Sequence, residues 1–375
     1  MTATAAGPER STAPAQSAPL PVRWQNRDSW PVPGIVTYGG RGGGQISPEN
    51  PTHKMMLDEK IDLRMAPFLD ESGKATKDVL EADVVISGGM PLSANEFKQL
   101  PKTRLLLRPY VGYDDIDVDA ADAEGILVAN VPDAFSEEVA NHALALILGA
   151  NQQLLISDRY VRSGEWEKQR GRPKRKIEVR RLSALTLGFV GFGNIARLTA
   201  ERARPFGFTM VAYDPFLKQE VADPYGVTLA SLDQVLAQSD IVTIHTFLHA
   251  TTRHLINAER FAQMKQGAYL VNTARGPIVD EVALIAALKS GHLAGAALDV
   301  TEVEPLAASS ELIKLENTIL TPHMASESVE GRQTLMRRVA EIARSVALGQ
   351  LPERHVVVNK GLYDRIAAQL WPGGA

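Results

Sequence analysis

The sequence predicts an α/β protein built on parallel β-sheets. From about Pro33, short apolar runs of β type alternate with longer stretches of helical periodicity, the order that places helices on both faces of a parallel sheet. With 375 residues, 45% of them hydrophobic and 22% charged, the chain is long enough for two or three domains with cores of their own. We therefore expect a globular α/β protein of more than one domain.

The first part of the chain contains three apolar runs followed by a helix. The runs are PGIVTYG, DVVISGG and TRLLLRP. The helix is expected to begin with Ser136 as N-cap and with Glu137 and Glu138 in its first turn, because these side chains suit a helix N-terminus. It continues through VANHALALILGANQQLL, whose broad apolar faces indicate burial between layers.

The second part contains six apolar runs separated by helical segments. Six strands with helical crossovers are the inventory of a doubly wound dinucleotide-binding domain. The stretch GRQTLMRRVAEIARSVALG then predicts one long helix that could return to the first domain. The six runs are residues 186–190, 209–213, 240–245, 268–272, 295–299 and 317–322.

The composition excludes several kinds of protein. The chain has no cysteine, so disulfides, thiolate zinc sites and cysteine nucleophiles are excluded. Its net charge of −4 and pI of about 6.1 argue against nucleic acid or an anionic membrane as partner. No apolar run reaches the roughly 20 residues of a membrane span. Residues 1–30 are rich in Ala, Pro, Ser and Thr, which predicts a flexible tail rather than a secretory signal, and we expect a cytoplasmic protein.

Two stretches have an unusual composition. GGRGGGQ at 39–45 is rich in glycine but lacks the Lys-Ser/Thr ending of a P-loop, so a mobile loop is favoured over a phosphate cradle. The segment 168–181, KQRGRPKRKIEVRR, is strongly basic. A solvated loop is favoured there, and an anion-attracting rim or a nucleic-acid patch is the alternative.

The stretch TLGFVGFGNIA has the pattern of a dinucleotide-binding turn. It places Gly191, Gly193 and Ala196 as G-x-G-x-x-A between an apolar run and a helix. The first glycine permits the tight turn, the second lets the backbone approach a pyrophosphate, and the small third residue lets helix and strand pack closely. Asn194 and Ile195 open the helix, whose N-terminus favours an anion.

Asp214 ends the next apolar run, about twenty residues after the glycines, where an acid would accept the ribose hydroxyls of the cofactor. A carboxylate there repels a 2′-phosphate, so NAD is favoured over NADP. The alternative is a turn without ligand, with Asp214 as a capping residue. A cofactor is favoured because strand, turn, helix and acid are all in register.

Arg275, Asp299, Glu304 and His323 follow the fourth, fifth and sixth runs of the second part. Ligands of parallel sheets bind outside the carboxyl ends of the strands, so these side chains should converge beside the cofactor. An imidazole can exchange the hydroxyl proton of an alcohol as hydride leaves, a carboxylate can orient it, and a guanidinium can bind a substrate carboxylate. A 2-hydroxy or 2-oxo acid needs all three.

These motifs resemble the D-isomer-specific 2-hydroxyacid dehydrogenase family. The resemblance rests on LGFVGFGNIA, NTARGPIVDE, AALDVTEVEPL, TPHMASES and the stretch from VGYDD to HALALIL, and it covers about residues 83–359. NVPD-x-x-x-EEVA-x-HALAL is most similar to the branch of the carboxy-terminal-binding proteins and phosphoglycerate-dehydrogenase-like enzymes.

The resemblance implies roles for individual residues. The family's catalytic arginine, glutamate and histidine fall on Arg275, Glu304 and His323. Its carboxamide acceptor falls on Asp299, and backbone amides for the substrate carboxylate fall on Val111 and Gly112. The cofactor-binding residues are then Gly191, Gly193, Asn194, Ile195, Asp214, Thr273 and Asp299.

The resemblance also implies the architecture. We expect two Rossmann-like doubly wound domains, namely a discontinuous substrate domain (31–113 plus 326–365) and an inserted NAD-binding domain (114–325), with a cleft that closes on substrate. The family is typically dimeric through the NAD domain, so a homodimer is expected.

The chain departs from the family at places that bear on the substrate. Tyr110 stands where relatives usually have glycine, which could narrow or redirect the pocket. The sequence Ser87-Gly88-Gly89-Met90 has no arginine to pair a phosphate, which argues against 3-phosphoglycerate. His245-Thr246-Phe247 replaces the usual His-Val-Pro.

The remaining histidines predict no metal site. His245 and His249 are four apart but lack the glutamate of a zinc-protease helix. His142 is expected to cap or pack within its helix. No partner pattern is visible for His254, His292 and His355.

The sequence therefore predicts an NAD-dependent oxidoreductase of a small D-2-hydroxy or 2-oxo acid. The alternative is an NAD(H)-sensing dimer similar to the carboxy-terminal-binding corepressors, in which turnover is incidental. The basic segment 168–181 gives that alternative some support.

Overall fold

The computed structural model describes residues 19–25, 27, 30–40, 49–171 and 179–370. The chain divides into two compact units, one comprising residues up to Ala134 together with those from Val329, and the other Phe135–Ser328. Most of the expected tail, the centre of the glycine-rich stretch and the centre of the basic segment lie outside the described residues.

The helices and strands are numbered in chain order. They are β1 (Ile35–Gly40), α1 (Pro51–Asp58), β2 (Asp62–Pro67), α2 (Lys77–Glu81), β3 (Val84–Ser87), α3 (Ala94–Phe97), β4 (Leu105–Leu107), α4 (Val118–Ala123), β5 (Leu127–Ala129), α5 (Ser136–Gln152), α6 (Leu154–Arg162), α7 (Glu165–Gln169), β6 (Thr186–Val190), α8 (Asn194–Ala203), β7 (Thr209–Tyr213), α9 (Gln219–Ala222), β8 (Val227–Leu229), α10 (Leu232–Gln238), β9 (Ile241–Ile244), α11 (Ala258–Gln263), β10 (Ala268–Asn272), α12 (Glu281–Lys289), β11 (Leu293–Leu298), α13 (Glu311–Lys314), β12 (Thr318–Leu320), α14 (Val329–Ala347) and α15 (Lys360–Leu370).

The first unit is built on a five-stranded parallel sheet in the order β2-β1-β3-β4-β5. The three apolar runs predicted as strands are confirmed as β1, β3 and β4. Every residue of β3, β4 and β5 is buried, which is why short strands suffice there: each fully buried aliphatic side chain contributes roughly 1.5–3 kcal/mol. The long helix α14 packs on β3 and β4.

The boundaries of the units differ from those expected at 113/114 and 325/326. β5 pairs in register with β4 and is preceded by α4, so the first unit continues to Ala134. At the other end, packed structure begins before residue 31. Trp24 is fully buried, and its indole N–H donates to the carbonyl of Gly125 at 2.8 Å.

The second unit is built on a seven-stranded parallel sheet in the order β12-β11-β10-β9-β6-β7-β8. The six predicted runs are confirmed as strands, and β8 is an additional short edge strand. Neighbouring residues such as Leu270 and Val271 belong to two different apolar clusters, so the sheet is buried on both faces, as doubly wound sheets are. The chain order reverses between β6 and β9, and the loop after β6 therefore lies at the switch point where such sheets bind ligands.

Ser136 is the first helical residue of α5. The N-cap residue is Phe135, not Ser136 as the sequence predicted. Within the described ranges, no single helix is long and apolar enough to cross a membrane. The helices α5 and α6, bent by 61° to each other, are together long and apolar enough for a span, by length and composition alone.

Candidate active site

The turn after β6 requires glycine at its first position. Gly191 has φ +87°, a conformation that glycine adopts without steric cost. A Cβ there would also lie 2.9 Å from backbone atoms of both His245 and Thr246. Gly191 is therefore fixed by the protein's own packing.

Gly193 differs from Gly191 in its surroundings. It is the N-cap residue of α8 with φ −77°, a conformation open to any residue, and a Cβ there would meet nothing within 4 Å. The protein itself does not fill the space in front of Gly193, which is the space that a pyrophosphate at the helix N-terminus occupies. Ala196, one turn later, is fully buried, as close helix–strand packing demands.

Asp214 is joined to this glycine turn. Its Oδ2 accepts a hydrogen bond from the Phe192 N–H at 3.0 Å, and its Oδ1 accepts one from the Phe216 N–H at 3.0 Å. A carboxylate has about four acceptor positions, so further positions remain for the two hydroxyls of a ribose.

Thr273, directly after β10, also suggests a ligand-binding position. The residue is buried, and its hydroxyl has no hydrogen-bond partner within the described ranges. Buried hydroxyls are normally satisfied. Three features fit a bound dinucleotide. They are the open space at Gly193, the hydrogen-bonded carboxylate of Asp214 and the hydroxyl of Thr273.

His323 and Glu304 form a direct pair. Nδ1 of His323 lies 2.7 Å from Oε2 of Glu304, and the N–H of Thr301 donates to Oε1 of the same carboxylate at 3.1 Å. The two side chains remain 48% and 37% exposed, so the imidazole is accessible to a substrate while its inner nitrogen is fixed.

Pairing raises the pKa of His323 and lowers the pKa of Glu304. The hydrogen bond to Glu304 raises the pKa of His323 above its ordinary value, against burial and the charge of Arg275. Burial would raise the pKa of Glu304, but the hydrogen bond and charge of His323 outweigh it, together with the Thr301 amide and Arg275, and the pKa is lowered. The pair therefore favours an imidazolium beside a carboxylate.

Arg275 follows β10 and acts on both members of this pair through its charge. Its loop is fixed by the side-chain amide of Asn272, which donates to the Arg275 carbonyl at 2.9 Å. Its Nη1 donates to the Ala274 carbonyl at 2.7 Å. Gly276 packs against the Thr301 carbonyl so closely that no Cβ could be added, which brings the arginine loop against the loop that carries Glu304.

His323 has a left-handed backbone conformation, with φ +52°. Such a conformation costs of order 1–3 kcal/mol outside glycine and persists only where surrounding contacts impose it. Here the His323 N–H donates to the Asp299 carbonyl at 2.8 Å. The Asp299 carboxylate accepts the N–H groups of Met324 and Ala325, each at 3.0 Å.

Asp299 is almost fully buried. Burial acts to raise its pKa, yet hydrogen bonds from His142, Thr321 and the two amides after His323 lower the pKa to about 2. It is therefore a permanent anion whose acceptor positions largely serve the turn that carries His323.

The structure corrects what was expected of several histidines. His142 contacts Thr321 at 3.1 Å rather than packing within its own helix. His254, for which the sequence shows no partner pattern, has its Nε2 2.6 Å from Oε1 of Glu302. His292 and His355 also have partners, in the Phe261 carbonyl and in Glu353. These partners are mostly distant in sequence, so no local pattern could have revealed them.

His245 is partly buried, and its Nε2 lies 2.9 Å from Oγ1 of Thr243. Burial of its ring lowers its pKa to about 3. Among the described residues, no group of three or more histidine and acidic side chains could hold a metal ion.

Val111 and Gly112 lie in the first unit, in the loop after β4. The Val111 carbonyl accepts from the Asn130 side chain at 2.6 Å. The ring of Tyr110 stands over Gly88, where an added Cβ would lie 3.3 Å from Cε2. Arg108 joins the neighbouring loops by donating to the carbonyls of Ser87 and Met90.

The fold and the site of the second unit define an NAD-binding α/β oxidoreductase. Residues 144–325 match the family described as D-isomer specific 2-hydroxyacid dehydrogenase, NAD binding domain. The glyoxylate reductase of Korarchaeum cryptofilum is 37% identical over 301 residues, which are 79% of this chain and 90% of that protein. The chain belongs to the D-isomer specific 2-hydroxyacid dehydrogenase family.

Solved structures agree with this assignment. A glyoxylate reductase from Paecilomyes thermophila has a TM-score of 0.75 at 28% identity, covering 87% of this chain and 98% of that one. A D-lactate dehydrogenase from Aquifex aeolicus, complexed with NAD and lactic acid, has a TM-score of 0.73 at 27% identity, covering 86% and 98%.

The two glycines of the turn should respond differently to alanine. Gly191→Ala should lower the free energy of unfolding, because the new Cβ collides with backbone at a positive φ. Gly193→Ala should fold with wild-type stability and weaken NADH binding, because its Cβ points into open space. Thermal melts and NADH fluorescence titrations of both variants measure this difference. Equal NADH affinity in Gly193→Ala and wild type would contradict the assigned cofactor position.

Proposed function

We propose that the protein transfers a hydride between NAD(H) and a small D-2-hydroxy or 2-oxo acid, with Arg275, Glu304 and His323 as its catalytic residues. The observation that carries the proposal is the 2.7 Å contact between Nδ1 of His323 and Oε2 of Glu304. The charge of Arg275 acts on both side chains. All three residues follow strands at the carboxyl edge of the sheet that holds the glycine turn. The first unit then serves as the substrate domain and the second as the NAD domain.

His323 exchanges the proton of the substrate oxygen. Its Nδ1 is held by Glu304, so Nε2 is the nitrogen that faces the reaction. In reduction, Nε2–H gives its proton to the carbonyl oxygen, and in oxidation the neutral imidazole takes the proton from the hydroxyl. The bound nicotinamide supplies or accepts the hydride. Glu304 stabilises the imidazolium that exists before reduction and after oxidation.

Arg275 binds the substrate carboxylate and polarises the adjacent carbonyl. The backbone amides of Val111 and Gly112, in the first unit, are proposed as carboxylate ligands. In the described part of the chain these two N–H groups donate no hydrogen bond, which leaves them available to an anion.

The geometry of the second unit supports the proposed cofactor contacts. The amides of Asn194 and Ile195 at the start of α8 would hold the pyrophosphate, and Asp214 would accept the ribose hydroxyls. Thr273 would offer its buried hydroxyl to the cofactor. Asp299, whose Oδ2 accepts the N–H of Ala325, would accept the nicotinamide carboxamide.

The substrate is a small 2-oxo acid such as glyoxylate. Relatives that match most of this chain are named glyoxylate reductases. The ring of Tyr110 stands over Gly88, next to the proposed carboxylate loop, and narrows the space for a substrate side chain. The loop from Ser87 to Met90 carries no cation for a substrate phosphate. NADH oxidation with glyoxylate, hydroxypyruvate, pyruvate and larger 2-oxo acids tests this choice, and rates that rise with substrate size would refute it.

A homodimer through the second unit is supported by α6 and α7. No residue of α6 is buried, although it is amphipathic, and Leu154, Val161 and Trp166 are 59%, 50% and 58% exposed. The neighbouring helices α6 and α7 thus carry large exposed apolar side chains, and exposed apolar patches mark interaction sites. The absence of cysteine fits the reducing cytoplasm, where we place the protein. The alternative, an NAD(H)-sensing dimer, would share these features, and its turnover of 2-oxo acids would be incidental.

The dimer can be tested with charge substitutions on that face. Val161→Glu combined with Trp166→Glu should convert a dimer into a monomer, because two carboxylates would be buried without partners. Light scattering after gel filtration gives the mass. Val282→Glu, on the exposed face of α12, is the matched control and should leave the mass unchanged. A wild-type monomer at micromolar concentration would disprove the dimer.

The proton-transfer roles predict a pH dependence. Reduction requires protonated His323, so its rate should fall as pH rises through the raised pKa of that imidazole. Glu304→Gln removes the partner that raises the pKa and should move this decline to lower pH. His323→Ala should lower kcat by about 10²–10⁴-fold while NADH still binds. Steady-state rates from pH 5 to 10 measure both effects, and an unshifted decline in Glu304→Gln would disprove the pairing.

The cofactor preference rests on Asp214. Asp214→Ala removes the carboxylate that repels a 2′-phosphate and should narrow the preference for NADH over NADPH. Values of kcat/KM for both cofactors test this, with Asp233→Ala, an exposed acid at the start of α10, as control. A wild-type enzyme equally active with NADPH would show that Asp214 does not select the cofactor.

A further inference from the structure

One face of α5 contacts both ends of the loop that carries His323. Glu138 and His142 are four residues apart and so lie on the same side of the helix. Nε2 of His142 lies 3.1 Å from Oγ1 of Thr321, and the Ser328 hydroxyl donates to Oε1 of Glu138 at 2.7 Å. The segment 321–328, here called the catalytic loop, is thus attached at its first and last residues to one helix.

The hydrogen bonds at the first attachment have a defined direction. The Thr321 hydroxyl donates its only proton to Oδ1 of Asp299 at 2.6 Å, because an ionised carboxylate can only accept. The Thr321 oxygen must therefore accept from His142, which requires the tautomer with a proton on Nε2. Nε2 also lies 3.4 Å from Oδ1 of Asp299. A continuous chain runs from His142 through Thr321 to Asp299.

This chain ends on the backbone beside His323. Asp299 accepts the N–H groups of Met324 and Ala325, and its carbonyl accepts the His323 N–H. These contacts impose the left-handed conformation of His323, which a histidine rarely adopts unaided. Helix α5 is thereby connected through hydrogen bonds to the backbone at and after His323, whose imidazole contacts Glu304.

We propose that His142 is a positioning residue for the reaction: through Thr321 and Asp299 it holds the catalytic loop in the conformation that keeps His323 against Glu304. The proposal rests on the proposed function, because it assigns His142 a part in presenting the acid/base. His142 itself touches neither substrate nor the reacting atoms.

The charged groups around the two histidines determine the direction in which the pKa of His323 should shift if the catalytic loop relaxes. His323 faces Glu304 and Asp299, which raise its pKa, and Arg275, which lowers it. His142 faces Asp299, with Glu138 one turn earlier on its own helix. If the catalytic loop relaxes, the His323–Glu304 contact lengthens first, since it depends on the imposed turn. His323 should then lose its proton at lower pH.

Variants that remove and restore the attachment test this proposal. His142→Leu and Thr321→Val delete the donor and the relay, and they should lower kcat between about tenfold and a hundredfold, as small misplacements of a catalytic group do. The alkaline decline of reduction should shift to lower pH while the Kd for NADH stays within about twofold. His142→Gln and Thr321→Ser keep a hydrogen-bonding group and should recover most of the rate.

His292→Leu is the matched control. It removes a histidine of the same unit that bonds to Gln266 and the Phe261 carbonyl, away from the catalytic loop, so kcat and the pH profile should match wild type. Circular dichroism melts confirm that each variant is folded.

A second measurement separates this proposal from the proposed function. Histidine ring NMR of the cofactor-free protein follows the titration of His323, assigned with His323→Ala. The His323 midpoint should fall in His142→Leu and Thr321→Val and return in His142→Gln and Thr321→Ser. Wild-type midpoints and kcat in folded His142→Leu and Thr321→Val would overturn the positioning role. If wild type reduces no 2-oxo acid, the function fails, and the NMR titration still decides whether His142 positions His323.

Discussion

The buried carboxylate of Asp299 is the constraint on which the arrangement of the site depends. A charge removed from water must be compensated by hydrogen bonds, and here the compensating donors are Thr321 and the two amides that follow His323. The requirement to satisfy one anion therefore fixes the backbone around the imidazole. Glu304 then needs to hold only one ring nitrogen, because the position of the ring is already determined.

The two glycines of the turn after β6 separate folding from ligand binding. Gly191 is demanded by backbone packing, whereas Gly193 faces open space. The protein's own packing thus demands only Gly191, and we propose that Gly193 serves the cofactor. The buried hydroxyl of Thr273, unsatisfied among the described residues, fits the same proposal.

Much of the fold could be predicted because most of its strands are short runs dominated by apolar residues. Six strands of the second sheet were visible in the sequence because burial on both faces favours such runs. β2, with the sequence DLRMAP, and β8, with VTL, escaped notice because they are edge strands with partly exposed residues. β5 was missed because three residues carry too little periodicity, and the expected domain boundary moved with it.

The proposed functional residues were predictable where chemistry and strand order coincide. Arg275, Glu304 and His323 follow successive strands, and the structure brings the last two into contact. The role of His142 could not be predicted, because its partners are 157 or more residues away along the chain. Its position in an apolar helix suggested packing, and only the tertiary structure shows that it faces a polar loop.

The spacing of Glu138 and His142 has a consequence for how this part of the chain can change. Each residue of a helix turns about 100° from the one before it, so one inserted or deleted residue between these two would send their side chains in different directions. The catalytic loop would then lose one of its two attachments while α5 itself remained intact. The double attachment therefore depends on the number of residues in this helical turn.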